Sequence, residues 1–256
     1  MSFSIAVSGK GGSGKTTAAA LIIKALIERG DGAVLAVDAD PNSTLAMALG
    51  ITPPTTISDM REDIMERRIE IPAGVPKERM FEYKFHEMVL ENPGFDFLAM
   101  GRPEGPKCYC YVNHLLRKYL DQLSQDYAYV LIDNEAGMEH LSRRTTDNVD
   151  LLVLVSQPTV VGLESVRRIS SLASKLPIVV KREALLLNMV KGEGVSPDIA
   201  QRAREMGHQD LFPISYDPEV ERAWEKGRSL LELPPSNPAC VAASAMIRGL
   251  LCIGVN

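Results

Sequence analysis

Six short runs of mostly apolar residues recur along the chain, at 3–7, 33–37, 95–100, 127–132, 151–155 and 183–188. Most lack the strict alternation of a strand with one wet face. They read as near-continuous Val, Ile, Leu and Ala, the signature of strands buried on both sides. Between them lie segments of helical character at 16–29, 112–125, 162–176, 218–226 and 238–251, with a shorter one at 44–49. Strand and helix in alternation predict an α/β protein, with a doubly wound, mostly parallel central sheet flanked by helices. Pro53-Pro54 breaks the pattern, and 56–91, rich in charge and methionine, is expected to form two or three surface helices. The whole chain, 1–256, is expected to be one domain with a helical insertion at about 56–91 and a cysteine-bearing loop at about 101–111.

What leaves the first apolar run is Gly9-Lys10-Gly11-Gly12-Ser13-Gly14-Lys15-Thr16-Thr17, and it opens the first helix. This is G-x-x-x-x-G-K-[ST] between a strand and a helix, the arrangement in which backbone N–H groups and a helix N-terminus converge on phosphate. Gly11, Gly12 and Gly14 let the main chain pass close to the anion, and Ser13 and Thr17 belong to the same cradle. Lys15 is placed to reach the β and γ oxygens, and Thr16 to ligate Mg²⁺. ATP or ADP with Mg²⁺ is the expected occupant.

Two further runs end in acids. The second delivers Asp38 and Asp40 ahead of Pro41, and an extended chain with a period of two would point both acids the same way. An Asp-Pro pair also opens turns, which is the plainer reading. The fourth run closes on Asp133-Asn134-Glu135-Ala136-Gly137, an acid at a strand end with a glycine four residues on. Asp133 would hold Mg²⁺ through water, and the Gly137 N–H would sense the γ-phosphate. Asn188, at the exit of the sixth run, carries a carboxamide that both donates and accepts, matching the N6 and N7 edge of adenine; capping a strand-to-loop turn is its alternative role. No Asn-Lys-x-Asp is present, so ATP is favoured over GTP.

The second lysine of the loop, Lys10, makes it resemble the deviant Walker A loop of the MinD, ParA, nitrogenase iron protein and arsenite ATPase group. The resemblance implies that Lys10 crosses a homodimer interface to the partner's nucleotide, an added cation comparable to an arginine finger. It implies that Asp40 positions or activates the attacking water, with Asp38 near Mg²⁺ in an outer shell. It also makes 213–217, beginning at Pro213, a wall for the adenine.

Cys108-Tyr109-Cys110 sits in a loop crowded with glycine and proline, next to a further candidate ligand, His114. Two thiolates leave a four-coordinate metal half satisfied, so a two-fold dimer would complete one Ni²⁺ or Zn²⁺ site on its axis with Cys108 and Cys110 from each chain. With residues 9–17, 38–41, 105–110 and 133–140 taken together, the chain resembles the CooC-type carbon monoxide dehydrogenase accessory ATPases and their acetyl-CoA synthase maturation relatives. It departs from them at Ser13, where valine is commoner. The resemblance implies ATP hydrolysis in the service of nickel insertion into a carbon monoxide dehydrogenase or acetyl-CoA synthase client.

Composition narrows the alternatives. A net charge of −5 over 256 residues offers no basic footprint for nucleic acid or an anionic membrane. The last helical segment, 238–251, holds one charge and no basic face, unlike an amphipathic membrane anchor. No run reaches the ~18 apolar residues of a spanning helix, and the opening residues carry no charged leader, so a cytoplasmic protein is expected. Two rivals remain. An iron–sulfur carrier of the Mrp type would carry C-x-x-C where this chain has C-x-C, and a positioning ATPase of the MinD or ParA kind would need a membrane helix or a DNA-binding patch.

Overall fold

A computed structural model describes residues 2–52, 55–65, 76–101, 120–135, 148–176 and 178–252 of the chain. Its centre is an eight-stranded sheet in the order β10-β9-β7-β1-β5-β2-β4-β3. The strands are β1 (Phe3–Gly9), β2 (Val34–Ala39), β3 (Leu90–Asn92), β4 (Phe95–Ala99), β5 (Tyr129–Asn134), β7 (Leu151–Ser156), β9 (Glu183–Val190) and β10 (Leu211–Ser215). Every neighbouring pair is parallel except β3 with β4. Two stubs, β6 (Asn148–Val149) and β8 (Val179–Val180), pair separately.

The period of two sorts the strand residues onto two cores. Ile5, Val7, Val34, Ala36, Leu131, Val153 and Leu186 pack on one face, beneath α1 (Lys15–Arg29), α2 (Thr44–Leu49), α7 (Pro218–Glu225) and α8 (Pro238–Cys252). Ala6, Leu35, Val37, Ile132, Leu152, Leu154 and Leu187 pack on the other, beneath α3 (Ile57–Met65), α4 (Lys77–Glu87), α5 (Val160–Ala173) and α6 (Pro197–Glu205). With both faces covered, the central strands have no wet side, which is why they read as unbroken apolar runs.

Several boundaries differ from the sequence expectation. Segment 56–91 is not a set of surface helices throughout: Ile57 and Met60 of α3 and Phe85 of α4 are buried in the second core, and Leu90 and Glu91 belong to the antiparallel edge strand β3. Strand β5 starts at Tyr129, and Tyr127 instead donates its hydroxyl to Asp96 at 2.6 Å. The strand then runs on through Asp133 and Asn134, so the acid lies on the sheet and not beyond it. Helix α5 starts at Val160, two residues early, because the Thr159 hydroxyl caps it by accepting from the Gly162 N–H at 3.0 Å. Pro213, expected in a loop, lies within β10, where the sheet edge tolerates a residue with no N–H. The cysteine loop and most of the helix expected at 112–125 lie outside the described residues.

Candidate functional site

At the carboxyl end of the sheet β1 lies between β5 and β7, and the chain winds away to opposite sides of it, the place where ligands collect in open α/β sheets. The loop leaving β1 turns on Gly12 at φ 77° and Gly14 at φ 85°, left-handed conformations that favour glycine. Space excludes a larger residue too: a Cβ on Gly14 would lie 2.1 Å from the Asn188 Nδ2, and one on Gly9 would lie 2.3 Å from the Val155 carbonyl oxygen. The Ser13 N–H donates to the Lys10 carbonyl at 3.1 Å and closes the loop. Helix α1 then begins with no side-chain cap and no acid in its first turn, so its leading N–H groups and positive dipole end are left to an anion. Lys15 is buried, with 8% of its surface exposed, and forms no ion pair among the described residues. Among the described residues the buried Ser13 hydroxyl has no hydrogen-bond partner.

The three aspartates have separate roles. Asp38 is fully buried and builds the loop after β2: its Oδ1 accepts from the Asp40 N–H at 3.0 Å and its Oδ2 from the Leu45 N–H at 2.9 Å. Burial pushes its pKa up to about 6, against those two backbone donors. Asp40 is half-exposed; its Oδ1 accepts from both the backbone and side-chain amide of Asn42 at 2.9 Å. That is the turn-opening geometry weighed above, with Oδ2 left over. This loop also holds Ser43 at φ 50°, a left-handed non-glycine residue just ahead of α2. Asp133 is fully buried, and among the described residues neither of its carboxylate oxygens has a hydrogen-bond partner. Burial raises its pKa to about 7; Asp38 and Asp40 raise it further, while Thr16 and Lys15 act the other way. A buried carboxylate and a buried lysine that lack partners among the described residues, beside a glycine cradle, are suited to Mg²⁺ with a polyphosphate, since the cation would supply the missing charge.

Between Pro213 and Ser215 the β9–β10 register slips, because β9 holds one extra residue there, at Asn188 and Met189. Met189 takes φ 56°, and this bulge brings Asn188 onto the phosphate loop, where its Nδ2 donates to the Ser13 carbonyl at 3.0 Å. Gln157, leaving β7, donates to the Gly12 carbonyl at 3.3 Å. Thr16 and Thr44 share a hydroxyl hydrogen bond of 3.2 Å, and the Trp224 indole donates to the Thr17 hydroxyl at 3.0 Å. Gln157, Thr44 and Trp224 were not singled out from sequence. Gln157 had a signal in its place directly after an apolar strand, whereas Thr44 and Trp224 had none.

The structure thus gathers Gly11, Gly12, Ser13, Gly14, Lys15, Thr16, Thr17, Asp38, Asp40, Asp133 and Asn188 at one sheet edge. Lys10 is exposed beside them and lines a cleft of about 210 Å³ with Gln157 and Thr159. Pro213 pairs with Leu187 on the outermost strand and is exposed there. Gly137, Cys108, Cys110 and His114 lie outside the described residues. Among the described residues, no three or more His, Cys, Asp or Glu converge as metal ligands, and no helix is long and apolar enough to cross a membrane.

Comparison with known proteins agrees with this geometry. Residues 4–230 match the family model described as the CobQ/CobB/MinD/ParA nucleotide binding domain. An ATP-binding protein of Methanocaldococcus jannaschii is 43% identical over 235 residues, 91% of this chain and 92% of that one. The carbon monoxide dehydrogenase accessory protein CooC of Rhodospirillum rubrum is 32% identical over 267 residues, 96% of this chain and 95% of that one. The crystal structure of the cell division ATPase MinD of Pyrococcus furiosus superposes with a TM-score of 0.69 at 21% identity, over 98% of this chain and 100% of that one.

Proposed function

We propose, since this chain belongs to the CobQ/CobB/MinD/ParA family of nucleotide-binding domains and is an ATPase of that family, that its hydrolysis of ATP serves the insertion of nickel into an enzyme. The client would be a nickel-containing carbon monoxide dehydrogenase or acetyl-CoA synthase. The observation that carries this reading is the Cys108-Tyr109-Cys110 pair in a chain similar over nearly its whole length to a carbon monoxide dehydrogenase accessory protein.

The described residues support the ATPase half directly. The free N–H groups of α1 and the loop glycines bind the phosphates, and Lys15 adds the positive charge that the transferring group needs. Thr16 and Asp133 would hold Mg²⁺, which when bound neutralises charge on the phosphates. Asp40, with one oxygen committed to its own turn, has the other for a water. Asn188, pinned to Ser13 through Nδ2, keeps Oδ1 and a second amide proton for the base. Pro213 and the residues after it would flank that base.

The metal half requires a homodimer, in which Lys10 reaches the partner's nucleotide and four cysteines hold one ion. Nickel dialysed to equilibrium against the protein is expected to bind at one ion per two chains. Cys108→Ser or Cys110→Ser should abolish that binding and leave ATP binding at the parental level. One ion per chain, or undiminished binding in the double variant, would remove the shared site. An iron–sulfur absorption band in anaerobically purified protein would instead support a cluster carrier.

A further inference from the structure

Trp224 is the only tryptophan of the chain, and it sits on α7, half-buried against the first core. Its indole N–H donates to the hydroxyl of Thr17, across 207 positions of sequence, at 3.0 Å. An indole N–H only donates, so the Thr17 oxygen accepts, and the hydroxyl's own proton must be directed elsewhere. A threonine in a helix ordinarily gives that proton to a carbonyl three or four residues back. Here Thr17 makes no such bond among the described residues: the Ser13 carbonyl accepts from the Asn188 Nδ2 at 3.0 Å and the Gly14 carbonyl from the Ala18 N–H at 2.9 Å. The Thr17 proton has no acceptor among the described residues, and Thr17 stands in the uncapped first turn of α1.

Helix α7 is also fixed at its start. Asp217 caps it, with Oδ1 accepting from the Glu219 N–H at 2.7 Å, and Oδ2 accepting from the Asn237 Nδ2 at 2.9 Å. Asn237 is buried and uses its own Oδ1 to cap α8, accepting from the Ala239 N–H at 2.9 Å. One short helix therefore joins the segment at 213–217 to the phosphate loop, held by Asn237 at one end and Thr17 at the other.

We propose that Trp224 is a positioning residue for nucleotide binding: it holds the Thr17 hydroxyl as a donor to a phosphate oxygen and ties the base-flanking segment to the phosphate loop. This rests on the nucleotide site proposed above. Removing the N–H while keeping an aromatic ring, in Trp224→Phe, frees the hydroxyl to turn away. It should weaken ADP binding about three- to tenfold, the worth of one hydrogen bond. Thr17→Val, which removes the hydroxyl, should also bind more weakly. Because both changes act through one proton, Trp224→Phe combined with Thr17→Val should be no weaker than Thr17→Val alone.

The test is equilibrium dialysis of Mg-ADP against the parent and these variants, with tryptophan emission of the parent recorded over the same titration. A saturable emission change in the parent, with non-additive losses in the variants, is the expected result. Parental affinity in Trp224→Phe, or losses that add, would overturn the proposal. Should Trp224→Phe fail to fold, the parent's emission and the Thr17 variant decide: binding by dialysis with flat emission, or Thr17→Val binding like the parent, rejects it. Absence of any binding to the parent by dialysis would reject the nucleotide site itself, a different failure.

Discussion

The two ends of the central sheet treat their polar residues in opposite ways. At the amino end, acids meet partners. Asp150, just before β7, accepts from the Ser4 N–H and hydroxyl at 2.8 Å each and from Lys181 at 2.6 Å. Asp96 accepts from Tyr127 at 2.6 Å, and Arg182 pairs with Asp210 at 3.0 Å. At the carboxyl end, Ser13, Asp133 and Asn134 bury polar oxygens that have no partner among the described residues, and Ser43 and Met189 hold left-handed backbone. The two aspartates display the contrast as acidity. Burial acts to raise both, but Lys181 and Ser4 carry Asp150 below its ordinary value, whereas Asp133 rises to about 7. One end pairs its polar groups, whereas the described residues of the other leave several buried polar atoms without a partner.

Asp133→Asn should break the contrast most sharply. Mg-dependent ATP turnover should fall at least about 100-fold, since charge stabilisation dominates phosphoryl transfer. The nucleotide-free protein should at the same time become more stable at pH 8, by on the order of 2–4 kcal/mol. The sign follows from an acid whose folded pKa is raised: the folded chain binds more protons than the unfolded one between about pH 4 and 7, so the penalty is full above about pH 7 and relieved as pH falls. Urea unfolding at pH 8 and pH 5 checks both parts, and equal stabilisation at the two values would refute the assignment.

At the other end, Asp150→Ala should destabilise the fold by about 2–3 kcal/mol, the worth of a partly buried charged network, and leave ATP affinity unchanged. A change in affinity would mean the two ends are not independent. Asn188→Ala lies between these extremes. It should cost about 1 kcal/mol of stability through the lost bond to Ser13 and weaken ATP binding roughly fivefold, both measurable by titration of one preparation. The smallest effect concerns His208, buried ahead of β10, where burial lowers its pKa and Glu183 partly opposes this. Below about pH 6.5 the unfolded chain takes up the proton first, so stability should fall as pH drops. His208→Gln should flatten that slope in thermal unfolding between pH 5 and 7.5.

How much of this was legible depended on range. The glycine and lysine spacing of 9–17 encodes a site made of one continuous turn, so its cradle could be read directly. Asp38 and Asp133 were visible because each ends an apolar run. Strand β3 escapes because three residues carry no usable period, and the insertion reads as superficial because only scattered anchors such as Ile57, Met60 and Phe85 enter the core. Nothing local distinguished Asp38, which uses both oxygens to hold backbone, from Asp133, which uses neither among the described residues.

By itself the sequence determined the layered α/β architecture, the phosphate loop and the acids at the strand ends, because burial period and loop spacing are written within a few residues of one another. Only the tertiary structure decided which polar atoms are satisfied. The bulge that delivers Asn188 to Ser13 and the indole on Thr17 join positions 175 and 207 residues apart, while the carboxylate of Asp133 has no hydrogen-bond partner among the described residues. Hydrogen bonding and desolvation depend on what the packed chain brings within about 3 Å, and no pattern of neighbours along the chain contains that distance.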